Sequence, residues 1–394
     1  MRVRRMLTLL IVVALIASCA PKPTATPLPP TKAPGAEPTA PPAAKKPKNG
    51  VQWVVGWTPL SDPVDEGRIA FDKGIRDAVE NAAGKLLYCS PSPKGGATGD
   101  PALQANCIDN FIAQNVDAIV MWPIDIDAAV GPIEKANKAG IPVFLFFTVM
   151  PKKYGVNIAM SLKNPNEAGC LEAAEATAKA LTEKYGSPKG LVLEVTGLMT
   201  AGDGLERNKF FHEAIDKYPN IEVVTKYADW DLGKATNIMK DWMTAHPETD
   251  AIYMHTEGTY LHGAKAVLEP IGRWVKIGQP GHVILTAVDG LNLAFNSIKC
   301  GYMEATSDLG YGVSSWALGG QVINYLKTGV LPKPGTSVQT ADATFPEATV
   351  SELPDGAGLI LQVKPILVTK DNADNPGLFG NKFQGPPNGL SPCQ

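Results

Sequence analysis

Histidine and aromatic side chains are scarce in this 394-residue chain, which has five histidines and 7% Phe, Trp and Tyr combined. A His-based triad would have to be drawn from His212, His246, His255, His262 or His282, and neither a GxSxG nor an HExxH pattern accompanies them. Cysteine and histidine never fall at CxxC or HxxxH spacing, so no metal site is implied. No GxGxxG follows the first strand pattern and no Walker loop is present, so no nucleotide cofactor is called for. Basic clusters are missing too: 36 basic side chains face 39 acidic ones, which speaks against nucleic-acid partners. These absences leave enzyme, cofactor and nucleic-acid functions without a foothold.

Long apolar runs are also absent, except near the start. MRVRRMLTLLIVVALIASC joins three arginines to an apolar run from Met6 to Ile16, shorter than the roughly 20 residues of a membrane span. This is the layout of a signal peptide over 1–18. Ile16-Ala17-Ser18-Cys19 resembles a bacterial lipobox, which implies lipidation of Cys19; the alternative is an ordinary signal peptide cut after Ala17 or Ser18. Residues 20 to 50 hold ten prolines and read as a disordered tether, 19–50 with the cysteine. At about 3.1 Å per residue in polyproline II geometry it would reach up to roughly 90 Å. The expected location is exported, in a bacterial cell envelope, lipid-anchored to the outer face of the cytoplasmic membrane or in the periplasm. Loss of residues 1–18 removes three arginines, leaving 33 basic against 39 acidic side chains and a net charge of −6.

Five cysteines follow Cys19, at 89, 107, 170, 300 and 393, in a compartment where disulfides persist. Cys89 closes a strand pattern and Cys107 opens the next helix, which makes them the preferred pair; Cys300 with Cys393 is a second possibility.

From Gly50 onward the chain exceeds what one core usually supports, so two lobes are expected. Strand patterns at 51–57, 85–89, 117–122 and 141–147 alternate with helix patterns at 66–84, 102–115 and 127–140. After a break at 151–155 the alternation resumes. Helices at 166–185, 205–218, 234–244 and 262–268 interleave with strands at 190–197, 221–229, 251–256 and 282–289. The period predicts an α/β chain of two doubly wound parallel-sheet lobes. In such sheets ligands bind beyond the carboxyl ends of the strands.

Several phrases carry a resemblance. NVDAIVMWPIDIDAAVGPIEKANKAGIPV (115–143), LERNKFFHEAI (205–215), ADWDLGKATNIMKDWMTAHPETDAIY (228–253), AVDGLNLAFNSIKCGYMEAT (287–306) and VTKDN (368–372) together resemble the ribose/galactose-type periplasmic sugar-binding proteins of bacterial ABC importers. The resemblance implies a three-crossing hinge, with lobe one at 51–159 plus 309–355 and lobe two at 160–308 plus 356–394, the tail included. It also implies a ligand in the cleft, closure of the lobes over it, and an ABC permease as membrane partner.

The same resemblance assigns site positions. Arg207 matches a ligand-contacting arginine, its fork of donors suited to adjacent hydroxyls or a carboxylate; the alternative is an exposed helical arginine in a salt bridge. Asp289 matches a hydroxyl-binding aspartate, with a helix N-cap as the alternative. Thr256 and Glu257 stand where the family has Asn-Asp, Asp65 and Arg68 fall where aromatic rings are common, and Asp308 lies near a further polar contact. In GIPVFLFF, at 140–147, relatives typically end on an aspartate that binds sugar hydroxyls, and Phe147 holds that place. Strand alternation then lets only one of Phe146 and Phe147 face the cleft, and the match selects Phe147. Trp57 and Trp122, each at a strand end, are candidates for stacking on a sugar's C–H face, or for simple packing of the interface. Trp230 reads as structural.

The function so implied is that of a monomeric, non-enzymatic solute-binding lipoprotein taking a small sugar or polyol. The alternative is a ligand-sensing module for a receptor kinase or chemotaxis system.

Overall fold

Two short phrases, VDAIVM at 116–121 and TDAIYM at 249–254, start the same structural device twice. The computed structural model describes residues 46–63, 66–92, 99–199, 202–356 and 358–382. Strand β1 (Val54–Thr58) lies parallel between β2 (Lys85–Tyr88) and β3 (Ala118–Met121). Asp117, just ahead of β3, accepts the Val54 N–H at 2.8 Å. A strand's first N–H has no ladder partner, and the carboxylate supplies one. In the second half, β6 (Lys189–Thr196) lies parallel between β7 (Asn220–Tyr227) and β8 (Ala251–Met254). Asp250 accepts the Leu191 N–H at 3.0 Å and also takes Lys184 Nζ at 2.6 Å.

Around these strands the helical patterns fold back onto the sheets. The first half adds α1 (Glu66–Asn81), α2 (Pro101–Ala113), α3 (Ile126–Lys138), β4 (Val143–Leu145) and β5 (Met160–Leu162). The second adds α4 (Asn166–Tyr185), α5 (Gly202–Ile215), α6 (Leu232–Ala245), α7 (Glu257–Leu268), β9 (Ile284–Asp289), α8 (Asn292–Lys299) and β10 (Ala305–Asp308). The chain then returns to the first half with α9 (Tyr311–Thr328), β11 (Ser337–Gln339), β12 (Glu347–Glu352) and β13 (Leu359–Val363). It ends, among the described residues, with β14 (Ile366–Val368) and α10 (Phe379–Lys382) in the second half.

Strand order is β11-β12-β13-β5-β4-β3-β1-β2 in one sheet and β14-β10-β9-β8-β6-β7 in the other. The inner order, second-first-third-fourth-fifth, is the same in both. This is the doubly wound α/β arrangement, whose crevice opens where β1 meets β3 and where β6 meets β8. The sheets are parallel-dominant rather than purely parallel, because β12 and β14 run antiparallel to their neighbours.

The lobe limits expected from the sequence shift in two places. β5 pairs with β4 and β13, and β13 with β5 and β12. Both therefore belong to the first sheet, and the crossings fall at 163–165 and 364–365 instead of 159–160 and 355–356. The remaining crossing is at 309–310, between β10 and α9. A chain cannot leave a sheet before its last ladder is complete, and β5, at three residues, is too short to stand out in the sequence. Helix α7 begins at Glu257, five residues earlier than its apolar pattern suggested.

Cys89, after β2, is disulfide-bonded to Cys107 in α2. Cys300 is disulfide-bonded as well, and its proposed partner Cys393 lies outside the described residues. Cys170 is a buried free thiol.

Helices α1 and α9 pack closely because both present small residues. A Cβ placed on Gly74 would lie 2.6 Å from the Gly312 carbonyl oxygen and from Ser315 Cβ, and one on Gly319 would lie 2.7 Å from Ala78 Cβ. Alanine ordinarily favours a helix over glycine by about 1 kcal/mol. At position 74 the clash is with backbone, so we expect Gly74→Ala to destabilise the fold by about 1–3 kcal/mol, measured as a lower urea midpoint at unchanged slope.

Candidate functional site

The carboxyl ends of the second sheet assemble a buried ionic centre. α5 carries Arg207, which is only 3% exposed. Its Nε donates to Asn166 Oδ1 at 3.0 Å, Nη2 to the Tyr311 hydroxyl at 3.0 Å, and Nη1 to the His255 carbonyl. Nη1 also lies 2.8 Å from Asp289 Oδ1. Beneath it the Trp230 ring centroid is 5.6 Å away, within range of a cation–π contact. The exposed-arginine alternative is thereby set aside. The N-cap alternative for Asp289 falls too, since Leu291 is the residue that precedes α8. Asp289 instead sits at a φ of +136°, a strained conformation for any side chain but glycine, with its carboxylate turned to Arg207 and Tyr311.

Glu257, the first residue of α7, completes this centre. Oε1 accepts the Leu291 N–H at 2.7 Å, while Oε2 is buried without a hydrogen-bond partner among the described residues. Burial, and then the charge of Asp289, push its pKa well up, which favours the protonated, donating form. Thr256 caps α7 without a side-chain bond.

Facing this centre, the first sheet contributes rings. Phe71 of α1 meets Trp122, Phe146, Phe147 and Tyr311 with centroids 5.4, 5.2, 5.1 and 4.7 Å away. Trp57 packs on Phe146 at 5.4 Å, wholly buried, its indole N–H without a partner among the described residues. The expectation that Phe146 and Phe147 point to opposite faces is overturned. β4 ends at Leu145 and Phe147 takes a φ of +44°, so strand alternation no longer applies. Both rings enter the same cluster, 4.2 Å apart.

The remaining expected residues are distributed differently. Arg68 lines a small recess with Trp57, Phe71 and Trp122, on the first-sheet side only. Asp65 and Cys19 lie outside the described residues. Asp308, expected at the ligand, has its oxygens engaged by backbone: Oδ1 accepts the Gly310 N–H at 2.9 Å and Oδ2 the Phe379 N–H at 2.7 Å. It fastens a crossing and the C-terminal arm together, and burial raises its pKa to about 7.

Sequence reasoning missed several members. Tyr311 opens α9 immediately after a crossing and carries no motif. Trp230, read as structural, lies against Arg207. Glu194 did leave a signal, a lone carboxylate in the apolar strand GLVLEVT. It is fully buried, accepting from Asn208 at 3.0 Å, Thr225 at 2.6 Å, and making contacts to His255 Nε2 at 2.9 Å and His212 Nε2 at 3.1 Å. His255 Nδ1 accepts the Gly197 N–H, so its Nε2 carries the proton toward Glu194. Burial lowers the His255 pKa, and the contacts with His212 and His255 outweigh burial to hold Glu194 at about 2. Among the described residues no group of three His, Cys, Asp or Glu side chains forms a metal site.

The centre therefore offers charged and polar groups on one wall and stacking surface on the other. Such a pairing suits a small molecule with both C–H faces and hydroxyls.

Comparison with known proteins gives a family match, two relatives and one solved structure. A family model described as a periplasmic binding protein domain matches residues 60–318. A xylitol-binding protein of Mycolicibacterium smegmatis is 28% identical over 218 residues, 54% of this chain and 56% of that one. The match thus spans little more than half of that relative's length. A D-apiose import binding protein of Paraburkholderia graminis is 28% identical over 60% of this chain and 71% of its own. Among solved structures, an ABC transporter solute-binding protein of Actinobacillus succinogenes with bound D-allose superposes with a TM-score of 0.65 at 21% identity, covering 82% of this chain and all of that one. At that identity the likeness speaks to the fold.

His212 ties the site's scaffold to pH. The Glu194 contact raises its pKa to about 9, against about 6.5 when unfolded. The stability it contributes is fully present below about pH 6.5 and is lost as pH rises through about 9. We expect the unfolding temperature to fall from pH 7 to 10, and the fall to be shallower in His212→Gln. Parallel pH profiles for the two proteins would show that the contact does not titrate.

Proposed function

The chain belongs to the periplasmic binding protein domain family, and from that premise we propose that it captures a small sugar or polyol between two lobes and delivers it to an ABC importer. The observation that carries the reading is the buried Arg207–Asp289 pair at the strand ends of one lobe, set against the aromatic cluster at the strand ends of the other. A ligand touching both walls would favour the closed arrangement by its differential affinity alone, with no covalent step. The three crossings are the natural hinge, and a permease would read the closed shape.

The relatives' names support the solute class: one binds xylitol and another imports D-apiose. Location follows from the leader. We infer that residues 1–18 are removed, that Cys19 bears a lipid, and that the proline-rich stretch to residue 50 holds a monomeric domain outside the cytoplasmic membrane.

Two measurements test this. In a thermal-shift panel of pentoses, hexoses, polyols, inositols, nucleosides and amino acids, a sugar or polyol should raise the melting temperature, since saturation at 100 Kd adds about 2.7 kcal/mol. Asp289→Asn and Arg207→Lys should each weaken that ligand tenfold or more, about 1.4 kcal/mol. A response confined to nucleosides or amino acids would remove the carbohydrate reading. For the anchor, full-length protein made in a bacterial host should enter the detergent phase on Triton X-114 partitioning, and Cys19→Ser should return it to the aqueous phase. Aqueous partitioning of the unaltered chain would exclude lipidation.

A further inference from the structure

The Arg207–Asp289 pair is already bound by something shaped like a ligand hydroxyl. The Tyr311 O–H accepts from Arg207 Nη2 at 3.0 Å and donates to Asp289 Oδ1, while its ring lies 4.7 Å from Phe71 and 5.7 Å from Phe147. It thus inserts a hydroxyl between the donor and the acceptor of the ionic centre, and presents its face to the aromatic wall. Tyr311 is 5% exposed and is the first residue of α9. Its position is held by Gly310 before it and by the packing of α9 on α1 behind it.

Resting on the reading above, we propose that Tyr311 sets the selectivity of the site: its phenol occupies the place of one solute hydroxyl, so the chain prefers solutes that lack a hydroxyl there. Two observations support it. Arg207 has Nε, Nη1 and Nη2 all engaged within the protein. Every bond made by the Asp289 side chain among the described residues ends on Oδ1, which already serves two donors. A hydroxyl arriving at that point must displace the phenol, whereas a bare carbon meets the rings of Phe71 and Phe147. Glu257 Oε2 and the Trp57 indole N–H are both buried without a hydrogen-bond partner among the described residues, so further solute hydroxyls have these two groups to bind. The solute class that fits is a deoxy sugar or an equally hydroxyl-poor polyol.

Affinities for matched pairs decide the matter: L-rhamnose with L-mannose, L-fucose with L-galactose, and 2-deoxy-D-ribose with D-ribose, measured by calorimetry on the unaltered protein and on Tyr311→Phe. The phenylalanine keeps the ring and removes only the hydroxyl. At least one pair should show a tenfold or greater preference for the deoxy member in the unaltered protein, and Tyr311→Phe should reduce that preference at least tenfold. A preference for the hydroxylated members in the unaltered protein overturns the proposal without need of the variant. An unchanged ratio in a folded variant overturns it as well, while leaving solute binding in place. No binding of any of the six sugars by either protein overturns the assignment to deoxy sugars, while the wider thermal-shift panel decides the carbohydrate reading separately.

Discussion

Burying the Arg207 guanidinium sets the terms for everything around it. An arginine taken out of water must recover several kcal/mol of lost hydration through charge pairing and hydrogen bonds, and here the partners come from five places in the chain. Asn166 opens α4, His255 follows β8, Asp289 ends β9, Tyr311 opens α9, and Trp230 closes the turn after β7. All of these elements must be in register for the charge to be paired. The centre therefore depends on the assembled second lobe, and through Tyr311 on the first crossing back to the other lobe.

The repeated strand device shows how the two walls diverged from one plan. Val55 pairs with Ala118 and Trp57 with Val120 in one sheet; Val192 pairs with Ala251 and Glu194 with Tyr253 in the other. Trp57 and Glu194 thus occupy equivalent positions. The tryptophan extends an apolar cluster through Phe146 and Phe71. The carboxylate instead draws in Asn208, Thr225 and two histidines. Because Asn208 and His212 lie on the same helix as Arg207, and His255 supplies the carbonyl that Arg207 grips, Glu194 anchors both sides of the arginine's setting. One residue type at one sheet position separates a stacking wall from a polar one.

Much of this was legible beforehand where physics acts locally. Apolar periodicity located most inner strands and their helices, and Arg207 and Asp289 stood out by resemblance to a sugar-binding family. What escaped was short or depended on turns. β5 has three residues and no pattern to read. Asp308 looked like a ligand contact but serves two backbone N–H groups, one at a crossing and one in α10. The pairing of Phe146 with Phe147 could not be read from alternation, because the strand stops one residue before them.

The sequence by itself determined the alternating α/β class, the doubled sheet and the kind of protein, since these follow from period, composition and ordered phrases along the chain. Only the tertiary structure decided which side chains share the site. Glu257 and Phe147 were candidates by resemblance, but Tyr311, Trp230 and Phe146 join them around Arg207 or its neighbours only through crossings, left-handed turns and helix starts. Their meeting is an interaction between segments far apart in the chain, and no local pattern encodes it.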